Sequence, residues 1–231
     1  MTDAKQEKKM YFYEERFSDD FDLYMNPYDL NKRLEVVFET LLNHDISDKK
    51  LLDAGCGTGW FSAAASKRGA NVVSLDLGEN LLKKVKEKCD SHCVVGSILD
   101  LPFEEGTFDI VVSSEVIEHV PDPLKAITEM HRVLKPGGIL VLTTPNRFWY
   151  WSVVMANKFN LRKYQGLENW LSRSKITRHF KETGFEIDHS LGIHLFPFVI
   201  KAFNPVLDFF HRFNKVLAPV MVNLAFRCTK K

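Results

Sequence analysis

Three glycines at alternate positions, Gly55, Gly57 and Gly59, interrupt the stretch LLDAGCGTGW at residues 51–60. Apolar residues precede them and a helical pattern follows, which predicts a loop between a strand and a helix. A glycine inside a strand or helix costs about 0.5–1 kcal/mol relative to alanine, so three glycines in five residues require a reason. A glycine loop at the carboxyl end of a strand is typical of a backbone that closely approaches a cofactor.

Two common nucleotide-binding motifs do not fit this loop. The dinucleotide motif GxGxxG requires a glycine where this chain has Trp60, and a tryptophan would prevent tight packing of the helix on the strand. No GKS or GKT sequence follows, as a phosphate-binding loop would require. Asp53 would be unfavourable beside a pyrophosphate but favourable beside a cationic cofactor. A tight turn without a ligand is the remaining alternative.

The hydrophobic pattern predicts strands that alternate with helices after residue 50. Such alternation implies a mostly parallel sheet covered by helices on both faces. Ligands of these sheets bind at the carboxyl ends of the strands, where the strand order reverses. The predicted strands are 50–55, 71–76, 92–97, 108–115, 138–145, 185–193 and a last strand at the end of the chain. The predicted helices include 28–42, 123–134 and 172–184, and residues 146–171 are predicted to be irregular.

Composition narrows the function classes. The chain has 231 residues, of which 45% are hydrophobic and 26% charged, as in an ordinary globular protein. Its net charge of +1 provides no global basic field for nucleic acid. The polar start MTDAKQEKKM lacks the apolar core of a signal peptide, and no stretch reaches the roughly 18 apolar residues of a membrane span. We therefore expect a cytoplasmic protein that does not act on nucleic acid.

The glycine loop resembles the first motif of class I S-adenosylmethionine (SAM) methyltransferases, and three further segments agree. Asp76 ends the second predicted strand, where this family has an acid on the ribose hydroxyls. GSILDLPFEEGTFDIVVSSEVIEHV resembles its adenine and fourth-strand region, and VLKPGGILVLTTPN resembles its fifth-strand motif. The resemblance implies an α/β fold with a Rossmann-like, seven-stranded SAM-methyltransferase sheet. An N-terminal helical lid and a helical insertion before the last strand complete the expected architecture.

The resemblance divides the chain into two parts. Residues 1–44 would form a polar tail and helical lid, to which an aromatic cluster at 11–17 would contribute. Residues 45–231 would form the SAM-dependent methyltransferase domain, with insertions at about 146–171 and 194–218.

The resemblance also implies a cofactor site. Carboxylates near the sulfonium would favour SAM over its neutral product. Many relatives have an aspartate where this chain has Ser97, so we expect a weaker contact with the adenine amine. The implied cofactor residues are Asp53, Gly55, Cys56, Gly57 and Gly59 in the loop, Asp76 and Leu77 at the ribose, Ser97 and Ile98 at the adenine, and Ser114 and Glu115 closing the site.

The stretch EVIEHVPDP at 115–123 resembles the ubiquinone-biosynthesis O-methyltransferases among the type 11 methyltransferases, which methylate polyprenylated catechols at the membrane. Glu115, Glu118 and His119 stand at i, i+3 and i+4, so one helical turn would bring them together. These side chains suit Mg2+ or another divalent cation. Glu115 and His119 are the predicted catalytic residues, since a metal or His119 as general base would help ionise a phenol. An orienting role for His119 and a helix cap by Glu118 are alternatives.

Two aromatic segments bear on the methyl acceptor. Residues 194–218 are rich in phenylalanine with basic residues among them, and residues 148–159 begin with the sequence FWYW. Both segments could cover the sheet or form a dimer contact, or they could contact a membrane peripherally. The expected function is O-methylation of a hydrophobic or phenolic small molecule. Methylation of a sugar or polar metabolite, and SAM binding without catalysis, are the alternatives.

Overall fold

A computed structural model describes residue 22 and residues 25–159, 166–197 and 201–231 of the chain. The expected polar tail and the aromatic cluster at 11–17 lie outside these residues, and the domain boundary at residue 44 stays a prediction. Within the described ranges, no helix combines the length and apolar character that crossing a membrane requires.

Within the described residues, seven strands form one mixed sheet, which confirms the predicted α/β class and strand number. They are β1 Lys50–Ala54, β2 Asn71–Asp76, β3 His92–Val95, β4 Phe108–Ser114, β5 Leu134–Pro145, β6 Phe185–Ile193 and β7 Asn223–Lys230. Their order is β3–β2–β1–β4–β5–β7–β6. The first five strands are mutually parallel, whereas β7 runs antiparallel to both β5 and β6.

Helices cover both faces of this sheet. They are α1 Pro27–Glu35, α2 Trp60–Ser66, α3 Glu79–Lys88, α4 Pro123–Val133, α5 Tyr150–Lys158, α6 Arg173–Glu182, α7 Asn204–His211 and α8 Asn214–Leu217. Buried side chains of α4 and α6 pack on one face, and those of α2 and of the segment after α1 pack on the other. The burial of apolar side chains on both faces fixes the sheet as the central layer.

The helix predicted over 28–42 is one α-helix followed by a wider turn. Asn26 caps α1 by accepting bonds from the N–H groups of Tyr28 and Asp29. From Val36 to Leu41 the backbone is a π-helix, in which the Leu42 N–H donates to the Val37 carbonyl. The first three residues of this π-helix and Leu41 are all buried, so this segment contributes to the apolar core.

The prediction of irregular structure over 146–171 was wrong for α5. Of this helix only Val153 is buried, while Trp151, Val154 and Met155 are exposed. Apolar residues therefore occur on the outer sides of the helix as well as the inner one. Because such a helix has no polar face, its sequence shows no amphipathic periodicity.

The strand order reverses between β1 and β4. These two strands are hydrogen-bonded neighbours, yet the chain leaves β1 toward β2 on the other side. The loops after β1 and β4 therefore diverge and leave a crevice at the carboxyl ends of the strands. The glycine loop follows β1 and the segment from Glu115 follows β4, so the predicted site residues converge there.

Candidate active site

The glycine loop requires glycine for two different reasons. Gly55 has φ +80°, and a Cβ there would lie 2.4 Å from Val116 Cγ1 in the loop after β4. Gly59 has φ +87°, and its Cβ would lie 2.9 Å from Val85 Cγ2 on α3. Both positions combine a left-handed backbone with no room for a side chain. The loop therefore lies close to two neighbouring elements and leaves its inner edge open.

Asp76 holds this loop from the end of β2. Its Oδ2 accepts the Gly57 N–H at 2.8 Å, and its Oδ1 accepts the Gly78 N–H at 3.0 Å. The Leu75 carbonyl also accepts the N–H groups of Gly55 and Cys56. The acid predicted at the ribose thus fixes the two loops on either side of the site.

A cavity of about 250 Å3 lies between these loops. Its lining is acidic at several points, and its basic side chains are Arg33 and His119. Three predicted site residues, Gly59, Ser97 and Glu118, do not line it. The predicted residues that do line it are Asp53, Gly55, Cys56, Gly57, Asp76, Leu77, Ile98, Ser114, Glu115 and His119.

Asp53 is the penultimate residue of β1 and is buried. Its Oδ2 accepts a hydrogen bond from Ser62 Oγ at 2.6 Å. Burial raises the pKa of Asp53 to about 7, since a charged carboxylate loses its hydration there, and the negative Asp76 adds to the rise. A cationic ligand would stabilise the ionised form of this group.

Glu115 follows β4 in a left-handed conformation, with φ 57°. Its carboxylate accepts bonds from Thr143 Oγ1 at 2.8 Å and from Asn223 Nδ2 at 2.6 Å. Burial raises the pKa of Glu115 to about 7, while the positive charge of Arg33 opposes the rise. Glu115 is therefore a second acid with a raised pKa at the same cavity.

Arg33 reaches the cavity from α1. Its Nε donates to Asp29 Oδ2 at 2.9 Å and its Nη1 donates to Ser114 Oγ at 3.1 Å. Asp29 in turn lies 3.2 Å from the Nε2 of buried His194. These contacts fix a half-buried guanidinium at the wall of the cavity.

His119 lies at the cavity with a defined orientation. Its Nδ1 is 2.9 Å from the Leu167 carbonyl, which can only accept, so a neutral ring carries its proton on Nδ1. Nε2 then has the lone pair and lies 3.7 Å from Glu118 Oε1. Burial raises the pKa of Glu118 well above its usual range, and the neighbouring Glu115 adds to this. The arrangement pairs an oriented imidazole base with a buried acid.

Comparison with known proteins identifies the family. Residues 52–142 match a family model described as a methyltransferase domain. The chain is 31% identical over 189 residues to a ubiquinone biosynthesis O-methyltransferase of Pseudomonas aeruginosa, covering 77% of this chain and 78% of that protein. This chain belongs to the SAM-dependent methyltransferases.

A further relative agrees with this family, and a solved structure shows the same fold. The methyltransferase is 30% identical over 165 residues to a protein of Mycolicibacterium smegmatis named "Probable S-adenosylmethionine-dependent methyltransferase". That match covers 70% of this chain but only 61% of the relative, less than two thirds of its length. A crystal structure of a SAM-dependent methyltransferase from Thermotoga maritima has the same fold, with a TM-score of 0.71 at 17% identity, covering 96% of this chain and all of that one.

The predicted metal site does not form in this methyltransferase. Glu115 has a left-handed backbone and precedes the 3₁₀ turn Ile117–His119, so the three side chains do not share one helical turn. The Glu115 carboxylate is instead engaged by Thr143 and Asn223. Among the described residues, no group of three or more His, Cys, Asp or Glu side chains is arranged to hold a metal ion. The proposed ligand set of Glu115, Glu118 and His119 was therefore wrong.

The structure gives three other predicted cofactor residues a local structural role. Gly59 begins α2 and packs on Val85, so its glycine serves the fold of the loop and not the lining of the cavity. Ser97 Oγ accepts the Leu99 N–H at 3.1 Å and so shapes the turn beside Ile98. Cys56 lines the cavity, but burial raises the pKa of its thiol well above the usual range. It is thus a protonated, apolar wall of the site.

Sequence reasoning missed Arg33. The residue lies three positions after Leu30 and four before Val37, on the apolar side of the predicted helix. A charged residue on such a side is rarely buried without a partner. The position of Arg33 on the apolar side of the helix therefore indicated that its guanidinium meets an acidic partner inside the protein.

Proposed function

We propose that this methyltransferase transfers the methyl group of SAM to the hydroxyl of a hydrophobic phenolic molecule. The observation that carries the proposal is the oriented imidazole of His119, which lines the cavity together with several acidic side chains. Cationic SAM supplies an activated methyl group when it is bound. The relative in Pseudomonas aeruginosa is named a ubiquinone biosynthesis O-methyltransferase, which supports a phenolic acceptor.

The residues of the cavity fit a cationic nucleoside cofactor. The backbone of the glycine loop borders the cavity at Gly55, where no side chain could be accommodated, and Asp76 presents its carboxylate beside that loop. In the proposal Asp76 binds the ribose hydroxyls and Ile98 contacts the adenine. Asp53 faces the ammonium group, and the guanidinium of Arg33 faces the carboxylate of the same cofactor.

His119 would act as the general base. A free phenol has a pKa near 10, so a positioned base promotes attack by its oxygen. The Leu167 carbonyl holds the imidazole in the tautomer whose Nε2 can take this proton. The resulting imidazolium would lie beside the Glu118 carboxyl, whose ionised form it would favour.

An exposed apolar surface supports a hydrophobic acceptor. We define the aromatic surface as the exposed apolar residues Phe148, Trp151, Val154, Met155, Phe159, Phe203, Val206, Phe209, Phe213, Val216 and Val220. Its first half lies at residues 148–159 and its second half at residues 203–220. The two halves adjoin, because Trp149 Nε1 donates to the Val220 carbonyl at 2.8 Å. In the proposal this surface rests on a membrane that holds the acceptor.

The charges along the same segments favour an anionic lipid surface. Arg147 and Lys158 flank the first half, and Arg212 and Lys215 lie in the second. Basic residues beside exposed aromatic side chains favour binding to anionic headgroups. Within this proposal the protein works in the cytoplasm and contacts the membrane peripherally.

The test uses purified protein, methyl-labelled SAM and a polyprenylated catechol in anionic vesicles. His119→Gln should lower kcat by about a hundredfold to ten-thousandfold, because the rate loses its general base. The dissociation constant of SAM should stay unchanged, since the substitution leaves the glycine loop intact. A melting curve for the variant controls for folding.

Three results would contradict the proposal. A His119→Gln variant with wild-type kcat would remove the general base. Methylation of sugars or polar metabolites and of no phenol would contradict the acceptor class. Binding of SAM without transfer to any acceptor would contradict catalysis.

A further inference from the structure

A row of three serine hydroxyls begins at Asp53 in the cavity wall. Ser62 lies on α2, Ser74 on β2 and Ser91 just before β3. Ser62 Oγ donates to Asp53 Oδ2 at 2.6 Å and lies 2.7 Å from Ser74 Oγ. Ser74 Oγ lies 2.6 Å from Ser91 Oγ, and Ser91 Oγ lies 3.2 Å from the Val72 carbonyl. The row therefore links a carboxyl group in the cofactor cavity to a backbone acceptor on β2.

Few charged groups surround the inner end of this row. Asp53, Ser62 and Ser74 are buried, and Ser91 is half-buried. The titratable neighbours of Asp53 are Asp76 on β2, Cys56 in the loop and Cys89 after α3, and Arg33 and Glu115 line the same cavity. Burial, with a smaller contribution from the negative Asp76, raises the pKa of Asp53 to about 7.

The row can order its protons in two directions, because each serine hydroxyl carries one proton and can also accept. With Asp53 ionised, Ser91 donates to Ser74, Ser74 to Ser62 and Ser62 to the carboxylate. With Asp53 protonated, every bond reverses, and the last proton points from Ser91 to the Val72 carbonyl. All four inner groups are satisfied in both states, so neither state leaves a buried donor unpaired.

We propose that Ser62, Ser74 and Ser91 form a reversible row of donors that lets Asp53 hold a proton without cofactor and release it when the cationic cofactor binds. The inference rests on the proposed function, since it needs SAM in this cavity. The O–H bond of the carboxyl breaks, its electron pair stays on the carboxylate and the buffer takes up the proton. The three serines are positioning residues that act through Asp53.

The first test uses the ligand-free protein. Infrared absorption of the protonated carboxyl is followed against pH, and subtraction of the Asp53→Asn spectrum isolates Asp53. Ser62→Ala removes the donor to the carboxylate and should move the titration upward by about one pH unit. Ser91→Ala leaves Ser74 without an acceptor only in the protonated state, so it should move the titration downward. Ser113 is a buried serine of β4 that donates to the Ala54 carbonyl. Ser113→Ala is therefore the matched control, and it should leave the titration of Asp53 unchanged.

The second test measures proton release by calorimetry of SAM binding in two buffers of different ionisation enthalpy. Between about pH 5.5 and 7, wild type should release a fraction of a proton that grows as pH falls, and SAM affinity should fall with it. Asp53→Asn should release fewer protons on binding SAM, and the difference from wild type should equal the fraction that Asp53 contributes. Ser62→Ala and Ser91→Ala should displace the affinity profile in opposite directions.

The outcomes separate the two proposals. Opposite displacements in both tests support the row. SAM binding that is normal but has an affinity profile indifferent to Asp53, Ser62 and Ser91 overturns the row and leaves the proposed function intact. A protein in which Asp53 titrates as described but SAM does not bind at any pH overturns the proposed function and the cofactor linkage with it.

Discussion

The glycine loop and the aromatic surface differ in how their residues are held. Asp76 accepts two backbone N–H groups that fix the loop, and Gly55 has no room for a side chain. On the aromatic surface, Trp151 is 57% and Phe159 is 62% exposed. One region is arranged by contacts within the chain, while the other presents apolar area to its surroundings.

This difference assigns different tasks to the two regions. A fixed loop can recognise a cofactor of constant shape, because little conformational freedom is lost on binding. An exposed apolar surface gains free energy only when something covers it. In our proposal the first region binds SAM, and the second brings the protein to a hydrophobic acceptor. Variants of each region should therefore affect separate measurements.

The largest effect is expected for Gly55→Ala. The new Cβ would meet Val116 at 2.4 Å with φ at +80°, so the loop must shift and SAM binding should weaken by more than about a hundredfold. Calorimetry with SAM measures this. Gly137→Ala is the matched control, because it has φ +77° but nothing within 4 Å of a Cβ. Equal loss of SAM affinity in both variants would show that strain alone matters, and not the close packing of the loop.

Asp76→Ala should weaken SAM binding by more than about tenfold. It removes the proposed ribose ligand and also the acceptor of the Gly57 and Gly78 N–H groups. Equilibrium binding of SAM and of adenosine measures the effect, and both should lose affinity. Near wild-type binding of the two would remove Asp76 as the ribose ligand.

A double substitution on the aromatic surface should leave the affinity for SAM unchanged. Trp151→Ser with Phe209→Ser should weaken sedimentation with anionic vesicles several-fold, because apolar area is lost, while the affinity for SAM stays constant. Val95→Ser serves as control, since Val95 is 57% exposed but lies on β3 at the far edge of the sheet. Vesicle binding unchanged by the double variant, or lowered equally by the control, would contradict a membrane role for the aromatic surface.

The smallest effect is expected where the two regions meet. Tyr28 on α1 donates its hydroxyl to Asp208 Oδ1 of α7 at 2.9 Å, which joins the helix of Arg33 to the second half of the aromatic surface. Tyr28→Phe should lower the free energy of unfolding by about 0.5–1.5 kcal/mol in urea denaturation. A larger loss, accompanied by weaker SAM binding, would show that the two regions are coupled and not separate.

Local sequence was enough to predict the strands and loops that surround the cavity. The strand before Gly55, the acid at Asp76 and the order of the motifs depend on short stretches with strong backbone requirements, and the structure brings them to one cavity. Arg33 could not be assigned a partner, because Asp29 and Ser114 become its neighbours only when α1 packs on the sheet.

The segments that we propose to meet the acceptor depend on features that hydrophobic periodicity does not reveal. The left-handed backbone at Glu115 breaks the helical spacing on which the metal prediction relied. Likewise, α5 has no polar face, so its sequence does not distinguish it from an irregular segment. The orientation of His119 is set by the carbonyl of Leu167, 48 residues away in the chain. Contacts over such distances are decided by tertiary packing, not by local pattern.

The most direct test of the account supplies methyl-labelled SAM and the purified protein with a lipid extract and a polar extract of cells. After the reaction, label is measured in the organic and aqueous phases, and the labelled product is identified by mass spectrometry. We expect label in the organic phase, in an aryl methyl ether, and expect His119→Gln to abolish it. Label confined to the aqueous phase, in a sugar or another polar metabolite, would contradict the account.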